Sequence, residues 1–322
     1  MHIKVLIAAT MLAASATCGA QGYPARSITM IVPGPPGGAT DTMARALAED
    51  LGKRLGQPVI VDNKAGGAGI IAIQAVIRAP ADGYTLLLSH STPLISTPHL
   101  YASVPYDVRR DLAFISELCL GQTVLVVNNQ VPAKTMREFL AWAAQNKGKV
   151  SYGSYGVGSM PHVLGAHLNR TRGLDMTHVA YKGEAPLAVD VMAGNVQWAI
   201  ASMTSLGPHI RSGKLHALAV VGDHRVKGMP DVPTLAEAGT TDQELRPPAW
   251  LGLLARAGTP APALAKIEAA TRASIASDSM RQRLDALALE PVGNSGSDFR
   301  KDFDASEPVM ARLIRDSGAK LD

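Results

Sequence analysis

Apolar residues recur with two periods along the chain. Short runs at 27–32, 58–62 and 83–88 read as strands. Between the first two, Met43, Leu47, Leu51 and Leu55 at four-residue spacing lay one apolar face along a helix over 42–55. A second helix is expected over 69–79, so strands and helices alternate as parallel βαβ units do. Turn residues fall where such units need them: Leu55-Gly56-Gln57-Pro58 stops a helix and starts a strand, and Ala81-Asp82-Gly83 does the same later. Apolar segments at 112–118 and 124–127, parted by Gly121, read as a crossover into a second domain. That domain repeats the style, with strands at 149–153, 176–181, 196–201 and 215–221 and helices at 159–171 and 184–193. Past Pro230-Asp-Val-Pro233 come a strand near 250–254 and two amphipathic helices ending near Asp316. The fold class expected is α/β with two domains: 23–122, 123–222, and a return toward the first domain over 223–322.

The first 22 residues break the alternation. Lys4 is their only fully charged group, the centre from Val5 to Ala14 is apolar, and small residues surround Ala20-Gln21-Gly22. This is the pattern of a secretory signal peptide cleaved before Tyr23. Its apolar run is too short for a membrane span, and no later stretch approaches 18 uninterrupted apolar residues. Cys18 lacks the large aliphatic residue that lipoprotein attachment needs before it. The mature chain then keeps Cys119 alone of the two cysteines, in an apolar segment that suits a buried thiol, and an intramolecular disulfide is excluded. The net charge of +4 is spread without a Lys/Arg block, and there are only four Phe, so nucleic-acid binding has no support.

Four loops follow expected strands, where open α/β sheets place their ligands. The first, Pro33 to Asp41, holds Pro36, Gly37 and Gly38 ahead of a helix. It is either an ordinary strand-to-helix turn or an anion cradle made of close-approaching backbone and unpaired first-turn N–H groups. The second, Ser89-His-Ser-Thr92, offers the hydroxyls of Ser89 and Ser91. The third, Tyr152-Gly-Ser-Tyr-Gly-Val-Gly-Ser-Met-Pro-His162, carries three glycines with Ser154 and Ser159, the latter placed to cap the following helix. The fourth, Ala180-Tyr-Lys-Gly-Glu184, brings Tyr181 to stack on or hydrogen-bond a ligand. Two domains with such loops suggest a ligand clasped between them.

Motifs over the whole mature chain resemble those of a known family. They are Tyr23-Pro-Ala-Arg-Ser-Ile-Thr, Ile31-Val-Pro-x-Pro-Pro-Gly-Gly-x-x-Asp41, Gly56-Gln-Pro-Val-Ile-Val-Asp-Asn63, Asp82-Gly-Tyr-Thr-Leu86, Tyr106-Asp107, Ser154-x-Gly-x-Gly-Ser-x-x-His162, His178-Val-x-Tyr-Lys-Gly183, Gly213-Lys-Leu215, Asp231-Val-Pro-Thr-Leu-Ala-Glu-Ala-Gly239 and Ala257-Gly-Thr-Pro260. In order and spacing these resemble the extracytoplasmic solute receptors of tripartite tricarboxylate transporters, the Bug receptors. The resemblance implies a two-domain periplasmic binding protein fold, a monomer without cofactor. It implies hinge closure on a small carboxylate near Gly121 and Gly222 and delivery to membrane transporter subunits. It places ligand contacts at Pro36, Gly37, Gly38 and Asp41 in the first loop and at Ser154, Gly158, Ser159 and His162 in the second domain. A carboxylate facing an anion would repel it, so Asp41 is expected to accept loop or helix N–H groups or hold a water. The chain departs from the family pattern at Gly34, where an aromatic is frequent, and at Ala201, followed by Ser202, where an aspartate is frequent. Loss of that aspartate argues for a plain or aromatic carboxylate rather than an amino acid.

Enzyme readings find little footing. G-x-S-x-G, Walker A, G-x-G-x-x-G and H-E-x-x-H are absent, His162 and His167 stand five apart, off the spacing that shares a helix face, and the glycine loops hold no paired carboxylates for acid–base work. Delivery of ligand occupancy to a membrane sensor kinase is a second use of the same cleft closure, which the sequence does not separate from transport.

Overall fold

The structure, a computed structural model, describes residues 22–245 and 249–321. The expected signal segment and Cys18 therefore lie outside the described residues, Gly22 excepted. Strand β1 (Ile28–Val32) leads through the first glycine loop into α1 (Ala39–Leu55), then β2 (Val59–Asn63), α2 (Ile70–Arg78) and β3 (Thr85–His90). β1 pairs in parallel with β2 and with β3, as the alternation predicts. Met43, Leu47 and Leu51 are fully buried on one face of α1, against Ile28, Met30 and Val32 of β1. The helix stops at Gly56, whose left-handed φ of 73° lets its N–H reach back to Gly52 O.

After β3 come the short helices α3 (Ser91–Ile95), α4 (Thr97–Leu100) and α5 (Val108–Asp111), then the long strand β4 (Leu112–Gly121). One residue, Gln122, separates β4 from β5 (Thr123–Asn128), which belongs to another sheet. That sheet is built from α6 (Met136–Gln145), β6 (Ser151–Ser154), α7 (Met160–Arg172), β7 (Thr177–Ala180), α8 (Glu184–Ala193), β8 (Trp198–Ser202), α9 (Met203–Arg211) and β9 (Leu215–Val221), in the strand order β7-β6-β8-β5-β9. The chain then returns through β10 (Ala249–Arg256), α10 (Ala261–Ile275), α11 (Asp278–Ala286), β11 (Leu289–Pro291) and α12 (Gly296–Ser317), which completes a first sheet ordered β11-β4-β10-β3-β1-β2.

Two expectations change here. The hydroxyl loop expected at 89–92 is not a loop: β3 runs through Ser89 and His90, and α3 starts at once with Ser91. The ladder to β10, which pairs Leu251 with His90 and Gly252 with Ser89, extends the strand past its apolar run. The C-terminal region holds three helices and a three-residue strand rather than two helices, because α11 is short and capped by Ser277, whose hydroxyl accepts from Met280 N–H. α12 ties the sheets together. It packs on β4 and against α7, and the largest core runs from Ile31 and Leu87 through Phe299 and Leu313 to Leu164, Tyr152 and Trp198.

Candidate functional site

Topology brings the C-terminal ends of the parallel strands in both sheets to one seam. Gly121, the last residue of β4, pairs with Ala249, while Leu251 pairs with His90 at the end of β3, so these ends share an edge with the end of β1. Across Gln122, Thr123 pairs with Ser202 at the end of β8, which runs parallel to β6 and its terminal Ser154. The glycine loops after β1 and β6 therefore open onto the single-residue crossover, where α/β folds put ligands.

In the first loop, Gly37 has φ 85° and Gly38 is the N-cap of α1, with no side chain capping the helix. Asp41, almost fully buried, accepts from Gly37 N–H at 2.8 Å, from Arg45 Nε at 3.0 Å and from Asn63 Nδ2 at 3.0 Å. Asn63 also donates to Gly34 O. The Arg45 hydrogen bond, then those of Gly37 and Asn63, hold the Asp41 carboxyl below its ordinary range against the opposing effect of burial. Asp41 thus accepts a loop N–H and fixes the backbone that carries Pro36, Gly37 and Gly38.

The second loop repeats the geometry. Gly158 has φ 72°, Ser159 occupies the N-cap of α7, and again no side chain caps the helix. The capping expected of Ser159 is not made, because its hydroxyl turns back to donate to Gly156 O at 2.6 Å. Ser154, fully buried, also donates to Gly156 O, at 2.9 Å. His162 Nδ1 accepts from Gly158 N–H at 2.9 Å, and burial lowers its pKa. A Cβ on Gly158 would meet Leu100 of α4 at 2.2 Å, so this loop touches an element attached to the first sheet. Each loop ends in a helix whose first-turn amides no side chain satisfies, the arrangement that attracts anions.

The remaining expected residues are more committed. Ser89 is fully buried and donates to its neighbour His90 O, and Ser91 opens α3. The Tyr181 hydroxyl donates to Asp190 at 2.8 Å. Ser202 caps α9 by accepting from Ser205 N–H, and its own N–H and hydroxyl donate to the two oxygens of Glu184. A carboxylate does therefore sit beside Ala201 and Ser202, supplied by α8 and occupied by Ser202.

Sequence reasoning missed other residues at the seam. His90 ends β3 with a buried Nδ1 that has no hydrogen-bond partner among the described residues, and burial holds its pKa down to about 4. Tyr155 stands in the second loop near enough to Glu184 for that charge to help burial push its hydroxyl pKa up. His178 bonds Ser154. Residues Gly66, Gly67, Ala68 and Gly69, at the end of β2, all have positive φ, and Ala68 O accepts from Thr97. The run Gly66-Gly67-Ala68-Gly69 is the signal in the sequence for this last loop, and the helix expected over 69–79 takes in Gly69 alone of the four.

Comparison with known proteins decides what this frame is. The profile of the family described as "Tripartite tricarboxylate transporter family receptor" matches residues 43–318. The chain belongs to this family. The receptor is 36% identical over 321 residues to protein BugT of Bordetella pertussis, covering 99% of this chain and 97% of that one. Its fold matches that of R. palustris Rpa4515 with adipate, at TM-score 0.81 and 28% identity, over 93% of this chain and 100% of the other. It also matches MatC (Rpa3494) from Rhodopseudomonas palustris with bound malate, at TM-score 0.73 and 28% identity, over 89% and 100%. The family is one of solute-binding receptors for tripartite transporters, and this chain is one of them.

Proposed function

We propose that the receptor captures a small carboxylate in the periplasm, as a monomer, between the glycine loops of its two sheets. Closure about Gln122 and Gly222 buries the ligand, and the closed form hands it to the membrane subunits of a tripartite transporter. The observation that carries this reading is the pair of helix N-termini, α1 and α7, each uncapped by a side chain and each preceded by a left-handed glycine at the crossover seam. Two such termini suit an anion, and the solved relatives with adipate and malate show that this architecture takes carboxylates. Among the described residues no helix is long and apolar enough to cross a membrane, and the N-terminal pattern is that of an export signal. Pro36, Gly37, Gly38, Ser154, Gly158, Ser159 and His162 contact the ligand, while Asp41 orders the loop behind it. The chain binds without chemical turnover.

The test is a thermal-shift and calorimetric screen of residues 23–322 against malate, adipate, aromatic carboxylates, amino acids and neutral sugars. A dose-dependent rise in melting temperature with one carboxylate class is expected. Stabilisation by amino acids or sugars alone overturns the ligand assignment. Ser159→Ala should weaken that ligand by about 1–3 kcal/mol, since its buried hydroxyl fixes Gly156.

A further inference from the structure

The second glycine loop is held from behind by two imidazoles. His178 stands on β7, the edge strand of the second sheet, with Nε2 2.7 Å from Ser154 Oγ. Its ring lies on that of His162, with centroids 3.8 Å apart and planes at 12°, and Tyr152 flanks it with centroids 5.0 Å apart. Ser154 fixes Gly156, and His162 fixes Gly158. Both glycines that shape the loop are therefore within two hydrogen bonds of this stack.

The proton on His162 can be placed. A nitrogen that accepts a backbone N–H carries no proton, so neutral His162 holds its proton on Nε2. That N–H has no partner among the described residues, and it is not one of the buried unpartnered atoms. Two rings at stacking distance resist carrying charge together. Burial, then repulsion from His162, holds the His178 pKa down to about 4, and burial lowers that of His162. Few other charges bear on the pair. Tyr152 and Ser154 face it from β6. Arg170 and Arg172 sit at the far end of α7, paired with Asp316 and Asp242. On α12, Glu307 is held by His99 and Arg109, and Glu184 of α8 is taken by Ser202.

We propose that His178 is a positioning residue of the binding site: bonded to Ser154 and stacked on His162, it fixes the loop amides and aims the His162 Nε2–H, as an uncharged donor, at the ligand carboxylate. The inference rests on the carboxylate reading above and goes beyond it by naming the element that orders the second loop.

Long-range 1H–15N correlation NMR of the ligand-free protein, with calorimetry using malate and adipate as probes, tests it. The spectrum should show His162 protonated on Nε2 and bare on Nδ1, and on acidification the Gly158 amide should shift in step with the imidazoles. His178→Phe keeps a ring in the stack, so it should preserve the melting temperature while weakening whichever probe binds about tenfold. His178→Gln, whose amide can reach Ser154, should recover part of the affinity. His162 protonated on Nδ1, or His178→Phe binding as the parent does, overturns the proposal. A parent protein that binds neither probe instead counts against those ligands, and the tautomer and the Gly158 titration still decide the role of the pair.

Discussion

At the first loop a glycine amide, Gly37, donates to the side chain four residues on, Asp41; at the second, Gly158 donates to His162 at the same offset. Both acceptors sit in the first turn of an uncapped helix, and both glycines hold left-handed backbone. The chemistry behind them differs. Asp41 is an ionised carboxylate neutralised by Arg45 and steadied by Asn63, whereas His162 is an uncharged ring stacked on another uncharged ring. Neither loop turns an unpaired full charge to the seam. On the function proposed above, the anion would be met by backbone dipoles and neutral donors, which read its shape more than its charge, and each half of that proposed site is ordered by a device that fails at a different pH.

The comparison breaks most sharply at the two glycines. Gly158→Ala adds a Cβ at positive φ that would overlap Leu100, so a loss of carboxylate affinity of about 100-fold or more is expected in calorimetry. Gly37→Ala has open space around the added carbon and carries only the backbone cost of about 1–2 kcal/mol, roughly tenfold. Equal losses would mean that Leu100 gives way. Next in size is Asp41→Ala, which takes the acceptor from Gly37 N–H and from Arg45 Nε and leaves the Asn63 amide with Gly34 O alone, and should cost about 1–3 kcal/mol of stability in urea melts. A neutral result would remove the carboxylate as the organiser of the first loop.

Acid should separate the two devices. His178 has a folded pKa lowered from 6.5 to about 4, so the folded state binds fewer protons than the unfolded one. Its contribution is complete above 6.5 and is lost as pH falls toward 4. Asp41 is also lowered, and its contribution goes only below the ordinary aspartate range near 3.8. Glu117 runs the other way: burial, helped by the nearby Asp302, raises it to about 7. Its contribution is full below 4.5 and disappears as pH rises through 7. In Glu117→Gln the acid loss from His178 should therefore stand out more clearly between pH 6.5 and 4 when melting temperature is followed against pH. The smallest expected effect is that of salt. With no exposed ion pair at the anion, affinity should change less than about threefold from low to high ionic strength.

The local features of the fold were legible where one chain segment determines them. The face of α1 follows from Met43, Leu47, Leu51 and Leu55, and the glycine loops follow from their own residues. Features that depend on distant partners were not. The extension of β3 through Ser89 and His90 comes from pairing with β10, some 160 residues away in sequence. The engagement of Tyr181 by Asp190 and of Ser202 by Glu184 needs the α8 packing, and the His162–His178 stack joins a helix to an edge strand. Sequence periodicity reports which face is buried. It does not report which side chain meets a given hydroxyl there.

The measurement that bears most directly on a carboxylate held by uncharged donors is calorimetric titration of residues 23–322 with malate and adipate at low and high salt. The account predicts saturable one-site binding of at least one of them, with nearly the same affinity at both salt concentrations. An affinity that collapses in high salt would contradict it, while absence of binding to both acids would count against these two ligands.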